Sequence, residues 1–286
     1  MRLPATALYS QRSSIAEDAD ELRELSKLID WPNDLSLGQA CHWYAVALEY
    51  KPDLILELGR GMGNSTAIFT QAANRIGDTK VKSYCNSFEW DTRTLPWLRA
   101  NKKKEWFEPV ETFICDITTT DFTEVIEPYK RILLLWDAHG YKVVDQVLSH
   151  VMPLLSKHEH IVICHDVSDN RLYPEDRDRS YGGLTFWRDM DDYFEADGRM
   201  ARANIFWLDT IVDQFIPILD FCYRNRIELH SADWEVKVDL LDNDKLKKEF
   251  LDLVPSDCFQ EMNHWVYFSL DEAPGAYTFP AKMAKF

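Results

Sequence analysis

Three sets of residues in this chain have the types and spacing to do chemistry. Glu57, Gly59, Gly61 and Gly63 occupy alternate positions, E-x-G-x-G-x-G, at the end of an apolar run, and Asn64-Ser65-Thr66 follow directly. Glycines at this spacing permit backbone angles closed to other residues and let a ligand approach the main chain without meeting a Cβ. The helix that opens at Asn64 offers unpaired N–H groups, so the turn reads as a seat for a small molecule with an anionic group. The second set is acidic residues at the ends of later apolar runs: Glu89, with Asp91 as second choice, then Asp116 and Asp137. A carboxylate at the tip of the strand after a glycine turn can accept hydrogen bonds from both hydroxyls of a ribose. The third is His139, in Asp137-x-His139, and His165, in His165-Asp166. An imidazole there could take a proton near neutral pH.

Spacing separates the cofactor classes that use such a turn. A dinucleotide fingerprint, G-x-G-x-x-G/A, counted from Gly59 and Gly61 meets Asn64 in its third place, and no Gly-Lys-Ser/Thr of a phosphate loop follows. The pattern of Glu57, Gly59, Gly61 and Gly63 resembles motif I of the class I S-adenosylmethionine (SAM)-dependent methyltransferases. The resemblance covers roughly residues 36–170 and continues more loosely to the end of the chain. It implies SAM as cofactor, with Glu57, Gly59, Gly61, Gly63, Asn64 and Ser65 at the turn, Glu89 at the ribose, Asp116 and Ile117 at the adenine, and Asp137 beside them. Asp116 reads equally well as the cap of the segment after it.

Asp137-x-His139 followed by His165-Asp166 is also similar to the small-molecule O-methyltransferases, the catechol type and the cephalosporin hydroxylase-like group. Several of those bind Mg²⁺ here, which makes Asp137, His165 and Asp166 the implied metal set. Mg²⁺ prefers oxygen ligands, and a histidine departs from the acidic or amide pair of the family. Two ways of activating an acceptor hydroxyl stay open: a metal, or His139 as general base beside Asp137.

These residues need a scaffold that gathers strand ends. Apolar runs at 53–58, 81–88, 110–115, 131–136 and 160–164 alternate with helical patterns at 64–76, 92–104 and 141–155. That alternation predicts an α/β fold, a doubly wound, Rossmann-like methyltransferase sheet, with every polar end on its carboxyl edge. Segments 227–240 and 264–270 alternate as half-buried strands around a helical insert at 244–253, and resemble the C-terminal antiparallel hairpin that closes the methyltransferase sheet. Residues 1–12 read as an arm. One helix is expected from Ser13 or Ser14 to Ile29 and another over 36–50, together an N-terminal helical cap (1–50) lined by Trp31 and Trp43, ahead of a SAM-binding domain (51–286). Residues 168–183 read as a substrate loop, followed by helices at 184–196 and 207–223.

Composition narrows the partners. A chain of 286 residues that is 46% hydrophobic can bury a full core, and its net charge of −16 disfavours nucleic acid, whose phosphates demand a cationic footprint. A small-molecule substrate is expected instead. Six cysteines without a C-x-x-C pair read as buried thiols of a reducing compartment, and neither a spanning apolar run nor a secretory core is evident, so a cytoplasmic protein without a membrane partner is expected. An oligomer is compatible with the sequence. Arg60, inside the turn where a small residue would leave more room, keeps open a non-catalytic binding subunit with the same fold. An NAD-dependent oxidoreductase is the third reading, disfavoured by Asn64.

Overall fold

Seven strands form one sheet: β1 Leu54–Leu58, β2 Lys80–Cys85, β3 Val110–Ile114, β4 Arg131–Trp136, β5 Glu159–Cys164, β6 His230–Ser231 and β7 Val266–Phe268. Their order is β3-β2-β1-β4-β5-β7-β6; the first five are parallel, and β7 runs antiparallel to both β5 and β6. The chain winds outward from β1 to β3, then returns to start β4 on the other side of β1. That reversal places a crevice between the carboxyl ends of β1 and β4, where open α/β sheets bind ligands. The fold is thus the Rossmann-like α/β sheet expected from the sequence. It comes from a computed structural model, which describes residues 1–27, 35–165, 217–263, 265–270 and 277–281.

Every side chain of β1 is buried, as a parallel strand covered on both faces requires. Alternation then sorts the central strands into two cores. Ile55, Leu133, Leu135, Ile161 and Ile163 belong to one, and Leu54, Leu56, Leu134, Trp136 and Val162 to the other. The first face is covered by α1 Leu3–Ser10, α2 Arg12–Glu17, α3 Ala19–Ser26, α4 Leu37–Tyr50, α5 Asn64–Ile76 and α6 Leu95–Asn101. On the second lie α7 Thr123–Ile126, α8 Tyr141–Gln146, α9 Met152–Leu155 and α10 (217–225); a wide turn, Val147–Val151, joins α8 to α9. Two late helices, α11 Ala232–Val236 and α12 Asp244–Leu251, return to the first face.

Several local expectations are corrected. Residues 1–12 are not an arm: α1 buries Pro4, Ala5, Ala7 and Leu8, and Arg2 is anchored by Asp239 at 3.0 Å. The single helix expected from Ser13 or Ser14 breaks at Asp18, whose carboxylate accepts hydrogen bonds from Tyr44 and Arg75. The helix expected at 92–104 is a wide turn at Trp90–Thr94, then α6, then a 3₁₀ turn at Lys104–Phe107. The strand expected over 227–240 shrinks to His230–Ser231, because Ala232, Val236 and Leu240 are buried at a spacing of four, a helical face. β6 and β7 pair antiparallel as expected, with α11 and the insert helix α12 between them in sequence. Trp31, Asp166, His264, the segments 168–183 and 184–196, and most of 207–223 lie outside the described residues. Among the described residues no helix is long and apolar enough to cross a membrane.

Candidate active site

Strand alternation puts Glu57 on the same face as Ile55, beneath the first turn of α5. There it is fully buried: Oε1 accepts from Ser65 Oγ at 2.5 Å, and Oε2 accepts from Thr66 Oγ1 at 2.5 Å and from Ser83 Oγ. Ser83 is its register partner on β2. Burial pushes the Glu57 carboxyl above its ordinary range, while the three hydroxyls and the Arg60 charge pull it back. Both oxygens are therefore spent on the protein, and Glu57 serves the site by holding the turn. The Arg60 guanidinium also folds back on the sheet, donating to Ser83 O at 2.8 Å and to Phe113 O at 3.5 Å. It braces β2 and β3, and Arg60 also forms part of the wall of the neighbouring cavity.

The three glycines of the turn have different duties. A Cβ on Gly59 (φ 102°) would stand 2.4 Å from the Ala138 nitrogen, and one on Gly63 (φ 88°) 2.1 Å from the Trp90 ring. Those two let β4 and Trp90 close on the turn. Gly61 (φ 51°) would meet nothing within 4 Å. Its open side is where a ligand can approach the backbone.

Asp137 and His165 are brought together by the sheet. The ladder runs one bond beyond each strand, from Asp137 N to Leu58 O at 2.9 Å and from His165 N to Trp136 O at 3.2 Å. Alternation from Leu135 and Ile163 then turns both residues toward α4 and α5. His165 Nδ1 lies 2.8 Å from Asp137 Oδ1, His165 Nε2 lies 2.9 Å from Gln39 Nε2, and Trp43 meets the imidazole edge-on at 4.9 Å. Beside them is a small cavity whose walls include Trp43, Arg60, Asn64, Ser65, Asp137 and His165.

Three buried polar atoms of the cavity's wall residues have no partner among the described residues: Trp43 Nε1, Arg60 Nε and Asn64 Oδ1. The Asn64 amide is oriented by its Nδ2, which donates to Ser26 O at 3.4 Å, so Oδ1 is the atom left over. Buried polar groups are nearly always satisfied, and a ligand seated in the cavity could supply partners to these three. Two donors and one acceptor beside a helix N-terminus suit a group carrying both a carboxylate and an ammonium.

The other expected residues are placed as follows. His139 lies two residues beyond Asp137, half-buried and off the cavity wall, so His165 holds the position next to the carboxylate. Glu89 follows β2, with Oε2 accepting from Ser87 Oγ at 3.0 Å. Asp116 is exposed and forms the cap, its Oδ1 accepting from Thr118 N at 2.9 Å and Thr118 Oγ1 at 2.7 Å, while Ile117 beside it is buried. The implied metal set fits poorly. Both His165 nitrogens are engaged, by Asp137 and by Gln39, and among the described residues no group of three or more His, Cys, Asp or Glu could hold an ion. Asp166, the third member, lies outside the described residues. Sequence reasoning missed Gln39 and Ser83. Gln39 had a local signal, the capping box Ser36-x-x-Gln39 that opens α4, whereas Ser83 had none.

The sequence matches no family model and no curated protein. Solved structures similar to this chain include "cmcI-N160 SAH" (19% identity over 46% of this chain and 60% of that one, TM-score 0.33). A second is the O-methyltransferase TomG from Streptomyces achromogenes in complex with SAM (14% identity, 56% and 65% covered, TM-score 0.37). A third is the SAH-bound Podospora anserina methyltransferase PaMTH1 (12% identity, 91% and 86% covered, TM-score 0.42). The chain spans between 51% and 66% of the length of the first five solved chains it matches.

Proposed function

We propose that this chain is a class I SAM-dependent methyltransferase acting on a hydroxyl of a small molecule. One cavity carries the assignment: around it meet the α5 N-terminus and walls bearing the unpartnered Trp43 Nε1, Arg60 Nε and Asn64 Oδ1, next to the turn whose Gly61 is open. The amino-acid end of SAM brings the carboxylate and ammonium these groups lack. Glu89 is assigned to the ribose hydroxyls, and Asp116 with Ile117 to the adenine. Asp137, whose Oδ1 is taken by His165, has Oδ2 for the reacting end of the site.

When bound, SAM supplies an electrophilic methyl: the acceptor oxygen forms the new O–C bond as the S–C bond breaks, leaving S-adenosylhomocysteine. The chain's part is to align the acceptor and to receive its proton. His139, two residues beyond Asp137 in the loop after β4, is the residue we assign as base. Mg²⁺ is left out of the proposal, because the described donors do not fit it.

Isothermal titration with SAM and with S-adenosylhomocysteine tests the cofactor, and binding of at least one is expected. No heat and no thermal stabilisation from either would sink the proposal, and binding of NAD in their place would favour an oxidoreductase. Screening hydroxylated small molecules for S-adenosylhomocysteine release then tests the acceptor. His139→Ala should lower that rate by about 10²–10⁴-fold, and EDTA should leave the wild-type rate unchanged. Normal turnover in His139→Ala would move the base elsewhere.

A further inference from the structure

We propose that Gln39 is a positioning residue: through His165 it determines which proton faces Asp137, and this chain of hydrogen bonds occupies the place where the resemblance implies a divalent cation. The positioning role rests on the assignment of Asp137 to a SAM site; the hydrogen-bond chain itself does not.

Two backbone groups fix how the Gln39 amide lies. Its Nε2 donates to Asn263 O at 2.5 Å, and its Oε1 accepts from Ser36 N at 3.3 Å. A backbone carbonyl only accepts and a backbone N–H only donates, so the amide cannot be turned over without losing both bonds. The second hydrogen on Nε2 therefore points at His165 Nε2, 2.9 Å away, and that nitrogen must accept. The ring proton then sits on Nδ1 and is donated to Asp137 Oδ1 at 2.8 Å. Gln39 and His165 are 7% and 4% exposed, so water cannot readily replace a lost partner. Trp43, edge-on to the imidazole, keeps the ring from rotating.

Two consequences follow. Neither His165 nitrogen has a lone pair for a metal, since one carries the proton and the other accepts from Gln39. Among the described residues the Asp137 carboxylate is held through Oδ1 by His165, and His165 is held in turn by Gln39, from a helix that precedes β1 in sequence. The N-terminal part of α4 thereby sets the geometry of a carboxylate at the end of β4.

The test reads the histidine side chains by ¹⁵N NMR, with the His165 signal identified by its loss in His165→Gln. In the wild-type protein His165 should be the neutral Nδ1–H tautomer, and Mn²⁺ should not broaden its signal selectively. In Gln39→Glu, whose carboxylate accepts, His165 should also gain a proton on Nε2. Gln39→Leu, checked for retained folding by its thermal midpoint, should weaken SAM binding about tenfold, as should Asp137→Asn, and the double variant should be no weaker than either. A wild-type Nε2–H tautomer, selective broadening by Mn²⁺, or unchanged SAM affinity in Gln39→Leu would each overturn the proposal. A wild-type protein with the Nδ1–H tautomer but no affinity for SAM would instead refute the methyltransferase assignment and the positioning role, leaving the hydrogen-bond chain standing.

Discussion

Glu57 and Ser83 stand opposite one another on β1 and β2, and the Ser83 hydroxyl donates to Glu57 Oε2 inside the protein. The acidic residue of the glycine motif is therefore a clamp. It ties β2 and the first turn of α5 to the end of β1, and its effect on a ligand passes through the turn it holds.

Removing that clamp should cost stability. Glu57→Ala strands the Ser65, Thr66 and Ser83 hydroxyls and should destabilise by about 2–4 kcal/mol in urea unfolding. The pH dependence has a definite sign. Burial raises the Glu57 carboxyl above its ordinary 4.5, so its favourable contribution is complete below 4.5 and is lost as pH rises through the raised folded value. Glu57→Gln lacks this loss, so its stability relative to wild type should improve as pH rises through that window. A constant difference between the two proteins from pH 4 upward would contradict the assignment.

The glycines of the turn should separate in mutagenesis. Gly59→Ala drives a Cβ into the backbone of Asp137 and Ala138 and should lower the unfolding midpoint strongly. Gly61→Ala meets open space and bears only the strain of its positive φ, about 1–2 kcal/mol. Gly61→Val should leave the protein folded and weaken SAM binding, because the branched side chain projects into the ligand's approach. Thermal midpoints and titration with SAM decide the matter, and equal loss of stability in Gly59→Ala and Gly61→Ala would be the contrary result.

Glu89→Ala should weaken SAM without unfolding the chain. A hydrogen bond to a charged acceptor is worth about 1.5–3 kcal/mol, so affinity should fall by about 10- to 150-fold. Ser87, which donates to Glu89 Oε2, orients the carboxylate, and Ser87→Ala should have a smaller effect in the same direction. SAM affinity unchanged in both would place the ribose elsewhere.

His42, buried in α4 against Trp265, should govern stability in mild acid. Burial pushes its imidazole down to about 3, and the bond to Pro4 O opposes this only in part. A folded value below the ordinary 6.5 means that its contribution is complete above 6.5 and is lost as pH falls toward 3. Between pH 7 and pH 5 the loss should be about 2 kcal/mol. Asp239 and Asp257, both held below 3.8 by arginine partners, lose their contributions only at lower pH. In His42→Leu the decline between pH 7 and 5 should be absent, so that it appears in the difference curve between the two proteins. A variant that follows the wild-type acid limb would remove His42 as its cause.

By itself the sequence determined the five parallel strands, the glycine turn and the polar residues gathered at one edge of the sheet. The reason is that a strand buried on both faces must be a continuous apolar run, and a tight strand-to-helix turn must be glycine-rich; both demands are local. Tertiary structure alone decided what Glu57 and His165 touch. Glu57 finds Ser83 because β1 and β2 pair in one register, and His165 finds Gln39 because α4 packs across the ends of β4 and β5. Neither contact leaves a mark in the spacing of either segment. The late region shows the same division at the level of elements. Ala232, Val236 and Leu240 keep a helical period, but the flanking His230–Ser231 pairs as a strand only because β7 offers it an edge. Period-two and helical patterns report which side of an element is buried, whereas the partner of a buried polar group depends on registers set between segments far apart in the chain.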